Sequence, residues 1–340
     1  MNGPGTARLS VVMPMYNAAP TIERCLAPLL RMLAAGEVHE IIVVDDCSTD
    51  SSPALVAAHA SVRLLRTPAQ GGPGAARNLA ATVASGSHLW FVDSDVIAAD
   101  DAARVILREL QREPVAALMG SYDDAPAAAN FLSQYKTLVH RYYHQRARRE
   151  ASTFWAGCGV VERATFLRVG GFDAVRYRYP SIEDIELGYR IRDAGGRILL
   201  VHDLHGKHLK EWRVRNLVHT EIFRRALPWT RLMLERGNVT DDLNVGRGER
   251  VRAALAGVFA LVVVAAVVGL LPGWTALAGG VAVGLANAAL VRFFADRRGH
   301  WFALRALLYH QFYYLYSAAS FAWGTLEHRL SSRRPQASTR

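Results

Sequence analysis

Two aspartates separated by one residue, Asp93 and Asp95, directly follow the short apolar run 89–92. Four apolar residues bounded by polar ones are too few for a helix and predict a buried strand. In an open α/β sheet, ligands bind at the carboxyl ends of the strands. Carboxylate oxygens placed there suit a hard divalent cation that also holds a diphosphate. A strand followed by a structural Asp-rich turn gives the same pattern, so the surrounding sequence must decide.

A second acidic group, Glu183 and Asp184, opens a predicted helix for which Ser181 is the expected N-cap. Asp184 falls in the first helical turn, where the positive end of the helix favours a carboxylate over the neutral acid. A carboxylate held there could accept a proton from a hydroxyl group. The same spacing also fits the acidic partner of a capping box, which would be structural.

The elements that position these acids alternate between strands and helices. Residues 9–17 predict a strand stopped by Pro14, and Thr21 is the expected cap of an amphipathic helix through 33. Further strands are predicted at 40–44, 62–65 and 89–92, and the Gly-rich turn 71–74 leads into the helix before the last of them. This alternation predicts a parallel, doubly wound sheet with its polar clusters at the carboxyl ends of the strands.

Composition points to a membrane. The chain has 340 residues, 51% of them hydrophobic, with a mean hydropathy of +0.08, which is high for a wholly soluble protein. Its net charge is +10, and its basic residues lie beside apolar segments. This distribution favours an anionic lipid surface over nucleic acid as the partner. Three cysteines without metal spacing predict a reducing compartment and no disulfides. No signal-like stretch opens the sequence, so we expect the first domain in the cytosol.

Five motifs in order make residues 9–212 resemble a family 2 glycosyltransferase of the GT-A fold, with a Rossmann-like, mostly parallel sheet. The motifs are VMPMYN at 12–17, IVVDDCSTD at 42–50, GAARN at 74–78, DSD at 93–95, and GGFD at 170–173 followed by EDIEL at 183–187.

The resemblance implies a nucleotide-sugar pocket. An N–H group of the nucleotide base needs a hydrogen-bond acceptor, and Asp45 or Asp46 can supply one at a strand end. Cys47 stands where the family usually has glycine, and the choice between the two aspartates stays open. Arg77 is expected on the phosphates or over the base. The family pattern also brings the first motif to this pocket, through Pro14, Tyr16 and Asn17.

The resemblance also implies a metal site and a base. Asp95 would hold Mn²⁺ or Mg²⁺ against the diphosphate, with Asp93 on the ribose or the metal. Three histidines, His202, His205 and His208, follow a predicted strand at 198–201, and His208 lies where such enzymes often carry a histidine. Asp184, with Glu183 beside it, is the predicted catalytic base.

Residues 207–212 resemble the arginine-tryptophan motif of processive polysaccharide synthases, but Glu211 replaces the arginine. This departure predicts transfer of a single sugar. We expect Trp212 and Gly157 on the acceptor side.

The remaining chain predicts membrane attachment. After domain 1–212, residues 213–248 predict interfacial amphipathic helices, kinked at Pro228, and a polar linker. Segment 249–298 predicts a transmembrane hairpin with uncharged runs at 253–271 and 274–291. Residues 299–330 predict an aromatic interfacial helix, and 331–340 a disordered basic tail. Arginines flank the hairpin on both sides and place both flanks in the cytoplasm: Arg247, Arg250, Arg252, Arg292, Arg297 and Arg298.

The sequence therefore predicts a multi-pass inner- or plasma-membrane enzyme with a cytoplasmic catalytic domain. It would transfer one sugar, with inversion, from a nucleotide diphosphate sugar, for which UDP is the expected nucleotide. The acceptor would be a hydroxyl of a lipid-linked or membrane-borne molecule in envelope or glycolipid biosynthesis. Three alternatives remain: a polyprenyl-phosphate sugar synthase, an inactive nucleotide-sugar-binding membrane protein, and a membrane scaffold. The sugar, the acceptor and the oligomeric state are not encoded in any pattern we can interpret.

Overall fold

The computed structural model describes residues 7–237 and 246–332. The chain divides into two compact units, Met1–Trp212 and Arg213–Arg340. Most of the predicted polar linker and nearly all of the predicted basic tail lie outside the described residues.

The first unit contains a mixed sheet. Its nine strands among the described residues are β1 Leu9–Met15, β2 Glu40–Asp45, β3 Val62–Arg66, β4 His88–Val92, β5 Val96–Ala98, β6 Ala117–Tyr122, β7 Glu150–Ala151, β8 Cys158–Glu162 and β9 Ile198–His208. They run in the order β3-β2-β1-β4-β8-β6-β9-β5, and β7 pairs with β9.

Half of this sheet departs from the predicted, mostly parallel arrangement. Strands β1 to β4 pair in parallel, as do β6 and β9, but β8 runs antiparallel to both β4 and β6. Strands β5 and β7 are also antiparallel to β9. Because β8 reverses between β4 and β6, the strands β1, β2, β4, β6 and β9 all end at the same edge.

Helices cover both faces of the sheet. They are α1 Ile22–Ala34, α2 Ser52–Ala57, α3 Gly72–Val83, α4 Ala102–Arg112, α5 Phe131–Arg146, α6 Arg163–Arg168 and α7 Glu183–Asp193. Alternate residues of β1 point to opposite faces, so Val11 and Met13 join a core with α1 and α4, whereas Val12 joins one with α3, α6 and α7. Strands buried on both faces explain the continuous apolar runs in the sequence.

Several predicted ends were wrong. Pro14 does not stop β1, because the strand pairs with β2 as far as Met15, while its pairing with β4 ends earlier, at Val12. Strand β9 continues past 201 to His208 because β5 extends its ladder. Ile182, not Ser181, occupies the N-cap of α7. Thr21 does hold the N-cap of α1, but its hydroxyl donates to Ser94 O at 2.8 Å instead of capping the helix.

Short turns connect helices in the second unit, whose described residues contain no strand. It comprises α8 Val214–His219, a π-helical segment Thr220–Ala226, α9 Leu227–Glu235, α10 Arg247–Val267, α11 Trp274–Ala286, α12 Ala288–Arg298 and α13 His300–Ser332. The first three follow one another without a break, so the predicted helix pair is a single run, with a π-helical stretch before Pro228, the predicted site of a kink.

Within residues 7–237 and 246–332, one helix, α10, is long and apolar enough to cross a membrane, and α11 with α12 would form a second such segment only as a bent pair, with a 77° angle between them. The uncharged run predicted as one straight helix over 274–291 is therefore interrupted at Asn287. Helices α10 and α11 pack closely, since a Cβ added to Gly279 would lie 2.8 Å from Phe259.

Candidate active site

The shared edge of the sheet gathers the polar residues that the motifs single out. Asp45 ends β2, Asp93 follows β4, and His208 ends β9. Strand β8 starts at this edge, opposite Val92, and so brings the preceding segment that contains Gly157 to it. The result is one line of carboxylates and rings along the carboxyl ends of the strands, where α/β sheets bind ligands.

The two adjacent aspartates after β2 have different tasks. Asp46 accepts hydrogen bonds from the Thr67 hydroxyl at 2.8 Å and from Gly71 N at 2.9 Å through Oδ1, and from Gly72 N at 2.7 Å through Oδ2. Its carboxylate is therefore used to hold the glycine-rich turn before α3.

Asp45 keeps one oxygen available. Its Oδ1 accepts from Ser48 N at 2.9 Å, whereas the buried Oδ2 accepts no hydrogen bond from the described residues and has Arg66 Nε 3.6 Å away. A buried acceptor without a donor is costly unless a ligand supplies one. Of the two candidates, Asp45 is the one whose geometry suits a ligand N–H.

The first motif forms the neighbouring loop. Pro14 is within β1, and the Tyr16 side chain is 47% exposed at the rim. Asn17 joins this loop to the one after Asp45, because its Oδ1 accepts from Thr49 N at 2.8 Å and its backbone N donates to Ser48 Oγ at 2.9 Å. The two loops therefore form one wall.

Cys47 takes a φ of +66°, in the left-handed region that favours glycine. Its Sγ lies 3.6 Å from Thr67 O. The turn that normally needs glycine is thus formed here with a side chain, and it still directs Asp45 and Asp46 to different partners.

Arg77 is buried between two carboxylates. Its side chain is 4% exposed, and it donates to Asp93 Oδ1 at 2.6 Å and to Glu183 Oε1 at 3.4 Å. The guanidinium also lies 5.2 Å from the centre of the Phe172 ring. Asn78 fixes the same region, because its side chain exchanges two 2.8 Å hydrogen bonds with the backbone of Phe172. Arg77 therefore joins the DSD motif to the start of α7.

We expect Arg77→Leu to lower the free energy of unfolding by about 3 kcal/mol, because it leaves the buried Glu183 and the partly buried Asp93 without their cation. Urea unfolding followed by circular dichroism measures this change. Arg104→Leu is the control, since its ion pair with Glu37 is on the surface, with the arginine 60% exposed, and water already screens such a pair, so this variant should be destabilised much less. Equal losses in the two variants would show that Arg77 is not a structural cation.

Asp95 and His208 face each other, with Asp95 Oδ2 3.4 Å from His208 Nε2. Burial raises the pKa of Asp95, but the hydrogen bond and charge of His208 and the charge of Lys210 outweigh it, so the pKa lies below its usual value. For Asp93, burial and the charge of Asp95 outweigh the opposing Arg77, and its pKa is raised. Asp95 is thus the better anion of the pair.

The residues present fit a divalent cation. No group of three or more His, Cys, Asp or Glu side chains within 7–237 and 246–332 is arranged as a complete metal site. Asp95 and His208 nevertheless offer an oxygen and a nitrogen whose 3.4 Å separation is close to that of two neighbouring ligands with bonds of about 2.1 Å. Asp93 is less suited, because Arg77 already holds its Oδ1. Oxygen atoms of water or of a bound diphosphate would complete such a partial site.

Asp184 is held by two backbone N–H groups. Its Oδ2 accepts from Ala156 N at 3.1 Å and its Oδ1 from Ile185 N at 2.8 Å. Burial and the charge of Glu183 raise the pKa of Asp184 to about 7, although both N–H groups and Arg77 oppose the shift. Glu183 itself is occupied, since it accepts from Ser181 N at 2.8 Å and pairs with Arg77. Asp184 therefore has the properties of a general base near neutral pH.

The predicted acceptor-side residues are close to these groups. Gly157 packs under the Trp155 indole, because an added Cβ would lie 2.5 Å from that ring. Trp212 is buried beneath Lys210, whose Nζ is 4.3 Å from the ring centre, and its backbone O accepts from Asn130. His202 and His205 lie along β9 before its end. Sequence analysis missed Tyr122, Trp155 and Ala156, whose positions depend on the antiparallel strand β8 and on β6.

Comparison with known proteins gives a family match. Residues 10–175 match Glycosyl transferase family 2. A poly(ribitol-phosphate) beta-glucosyltransferase from Bacillus spizizenii is 42% identical over 93 residues, which are 26% of this chain and 15% of that protein. A pre-mycofactocin glycosyltransferase from Mycobacterium tuberculosis is 28% identical over 231 residues, 63% of this chain and 46% of that protein. The chain spans less than half the length of these two relatives.

Among solved structures, mannosyltransferase PcManGT from Pyrobaculum calidifontis, in complex with GDP-Man and Mn²⁺, has a TM-score of 0.61 and 21% sequence identity. The similarity covers 94% of this chain and 88% of that one. At this identity, the match shows a shared fold.

Proposed function

We propose that this chain, whose residues 10–175 form a family 2 glycosyltransferase domain with a GT-A-like mixed sheet, transfers one sugar from a nucleotide diphosphate sugar to a hydroxyl group, with inversion. The observation that carries the proposal is the environment of Asp184. This carboxylate has a pKa of about 7 and two N–H groups to orient it, and Arg77 and Glu183 connect its helix to the DSD motif.

The base of the nucleotide is assigned to Asp45. Uracil presents one N–H between two carbonyl groups, which suits the single available oxygen of Asp45. Guanine presents an N–H and an amino group side by side, and a carboxylate pairs with both only through two oxygens, one of which Ser48 N already occupies. We therefore propose a UDP-sugar as donor. Because the PcManGT structure contains GDP-Man, a GDP-sugar must be tested beside the UDP-sugar as a donor.

A divalent cation, Mn²⁺ or Mg²⁺, would be held by Asp95 and His208 together with the diphosphate, and Mn²⁺ is present in the PcManGT complex. When bound, it would supply positive charge for the leaving diphosphate. Lys210 adds positive charge beside Asp95.

Asp184 accepts the proton of the acceptor hydroxyl as that oxygen forms its bond to the anomeric carbon. The bond from this carbon to the diphosphate breaks on the opposite side, and the nucleoside diphosphate leaves with the electron pair. One displacement inverts the anomeric centre, and the product carries one added sugar.

Calorimetric titration with UDP-, GDP- and dTDP-sugars in the presence of Mn²⁺ tests the donor assignment. We expect the UDP-sugar to bind most tightly and Asp45→Asn to weaken it at least about tenfold, because one good hydrogen bond to a charged group is worth about 1.5 to 3 kcal/mol. Asp203→Asn, on an exposed part of β9, is the control. Tighter binding of the GDP-sugar would contradict the UDP assignment, and binding of none would contradict the function.

The acceptor is proposed to be lipid-linked or membrane-borne, and the chain to be an inner- or plasma-membrane protein with its catalytic domain in the cytoplasm. The support is α10, whose outward apolar side chains Val258, Leu261, Val264 and Val267 are 56–80% exposed. So much exposed apolar surface needs a lipid or protein partner. The basic residues flanking the hairpin would meet anionic lipid headgroups.

This topology predicts that tags at the N-terminus and after Arg340 are shielded from protease in intact cells, whereas a cleavage site inserted at Pro272 is accessible from outside, because both arginine-rich flanks stay inside. Protection of each site before and after permeabilisation is the measurement. If the C-terminal tag alone were cleaved, 301–323 would have to span the membrane and the predicted topology would be wrong.

A further inference from the structure

Four aromatic rings form a column that ends at the imidazole beside Asp95. The His144 and His140 rings are stacked with centres 3.9 Å apart, and His140 lies 4.5 Å from Tyr122. Tyr122 and His208 are 4.6 Å apart and within 10° of parallel. We call His144, His140, Tyr122 and His208 the ring column. Its last member is one of the two residues assigned above to the cation.

The ring column is anchored at several points. His144 Nδ1 lies 3.1 Å from Gly120 O, and Arg141 donates to Tyr122 O at 3.1 Å. The Trp155 indole packs against its side, 4.8 Å from both Tyr122 and His140, and meets Tyr122 edge-on. Helix α5, strand β6 and the segment before β8 therefore fix the position of the Tyr122 ring.

A fixed Tyr122 ring restricts the plane of the imidazole. The lone pair of an imidazole nitrogen lies in the ring plane, so rotating the ring moves that lone pair away from a shared ion. Parallel stacking on Tyr122 selects the rotation at which His208 Nε2 faces Asp95 Oδ2 at 3.4 Å. Groups outside the ligand shell that orient a ligating histidine typically change metal affinity 10- to 100-fold.

We propose that Tyr122 is a positioning residue, which holds the His208 ring in the plane required for Asp95 and His208 to bind one divalent cation. The inference rests on the metal site of the proposed function. It gives a reason for the stacking of the ring column, which the roles of Asp95, His208 and Asp184 do not explain. The aromatic ring of Tyr122 carries the effect through stacking, and its hydroxyl is not required.

The experiment measures Mn²⁺ affinity of the full chain without donor, by electron paramagnetic resonance of the free ion. We expect Tyr122→Leu to weaken Mn²⁺ binding about tenfold, and Tyr122→Phe to keep it within about twofold. Tyr143→Leu, which removes a neighbouring tyrosine of α5 outside the ring column, is the matched control and should leave the affinity unchanged. Circular dichroism verifies folding of each variant.

Asp95→Ala and His208→Ala separate this inference from the function. If both lose Mn²⁺ binding but a folded Tyr122→Leu binds like wild type, the positioning role is wrong and the metal site stands. If neither loses Mn²⁺ binding, the metal site itself is wrong, and the inference with it. If Tyr122→Leu does not fold, His140→Leu decides: weaker Mn²⁺ binding supports the ring column, and unchanged binding contradicts it.

Discussion

Asp184→Asn is expected to lower the turnover number by about 10²-fold or more while the dissociation constant of the donor stays within a few-fold. A hydroxyl must lose its proton as the new bond forms, and Asp184 is the carboxylate placed to accept it. The amide has nearly the same shape but cannot act as a base. Binding and chemistry should therefore separate, which calorimetry and steady-state kinetics on the same preparation measure. Asp193→Asn, at the exposed far end of α7, is the control.

The pH dependence provides a second test of the same residue. Asp184 must be deprotonated to act, and its pKa is raised to about 7 by burial and by Glu183. The wild-type value of kcat/KM should therefore fall about tenfold per pH unit below about 7, and Asp184→Asn should lose this dependence.

Turnover of Asp184→Asn near the wild-type rate would contradict a hydroxyl acceptor. A lipid phosphate is already ionised and attacks without a base, so that outcome would favour the polyprenyl-phosphate sugar synthase. Asp184 would then be an acid that accepts backbone hydrogen bonds at the start of its helix.

Removal of the cation is expected to abolish transfer. Asp95→Ala removes the carboxylate that faces His208, and EDTA removes the ion from the wild type. Both changes should reduce product to background and weaken donor binding. Product formation with and without Mn²⁺ after EDTA treatment is the measurement. Mn²⁺ should restore the EDTA-treated wild type but not Asp95→Ala.

Two outcomes would count against this metal role. Full activity of the wild type in EDTA would show that no dissociable cation takes part. Restoration of Asp95→Ala to wild-type activity at an ordinary Mn²⁺ concentration would move the cation to other ligands. Asp203→Asn should respond to EDTA and Mn²⁺ as the wild type does.

The parallel half of the sheet could be predicted because its signals are local. Strands β1 to β4 are short, mostly apolar runs, each followed by polar or turn-forming residues. Strand β8 also ends at charged residues, Glu162 and Arg163, but its reversal between β4 and β6 depends on pairing partners far away in the chain. Without β8 the sequence suggested an almost entirely parallel sheet, and it could not place Tyr122 or Trp155 at the functional edge.

The residue types of the site were visible in the sequence, but their partners were not. Asp45 and Asp46 are adjacent and chemically identical, and only the hydrogen bonds from Thr67, Gly71 and Gly72 show that Asp46 is occupied. Arg77 was predicted at the nucleotide because nothing local reveals an ion pair with a glutamate 106 positions later.

Helix α10 was predicted from its apolar length, which is a local property. The 77° bend after α11 was not, because the run 274–291 contains no proline and Asn287, the residue at the bend, is short and uncharged. In the structure Asn287 Nδ2 donates to Val283 O, and the Tyr314 hydroxyl donates to Asn287 Oδ1. The hydrogen bond from Tyr314 of α13, a later helix, stabilises the interruption.

The most direct test of the proposed activity is mass spectrometry of the products formed when wild-type protein, a UDP-sugar, Mn²⁺ and membrane lipid extract are incubated together. We predict that the wild type forms an acceptor heavier by one sugar residue and releases one UDP for each acceptor modified. Asp184→Asn should form both products at no more than about one hundredth of the wild-type rate. Acceptors carrying a growing series of sugars would contradict single transfer. Absence of both UDP release and a glycosylated product with every donor tested, from protein that is folded, would contradict the proposed function itself.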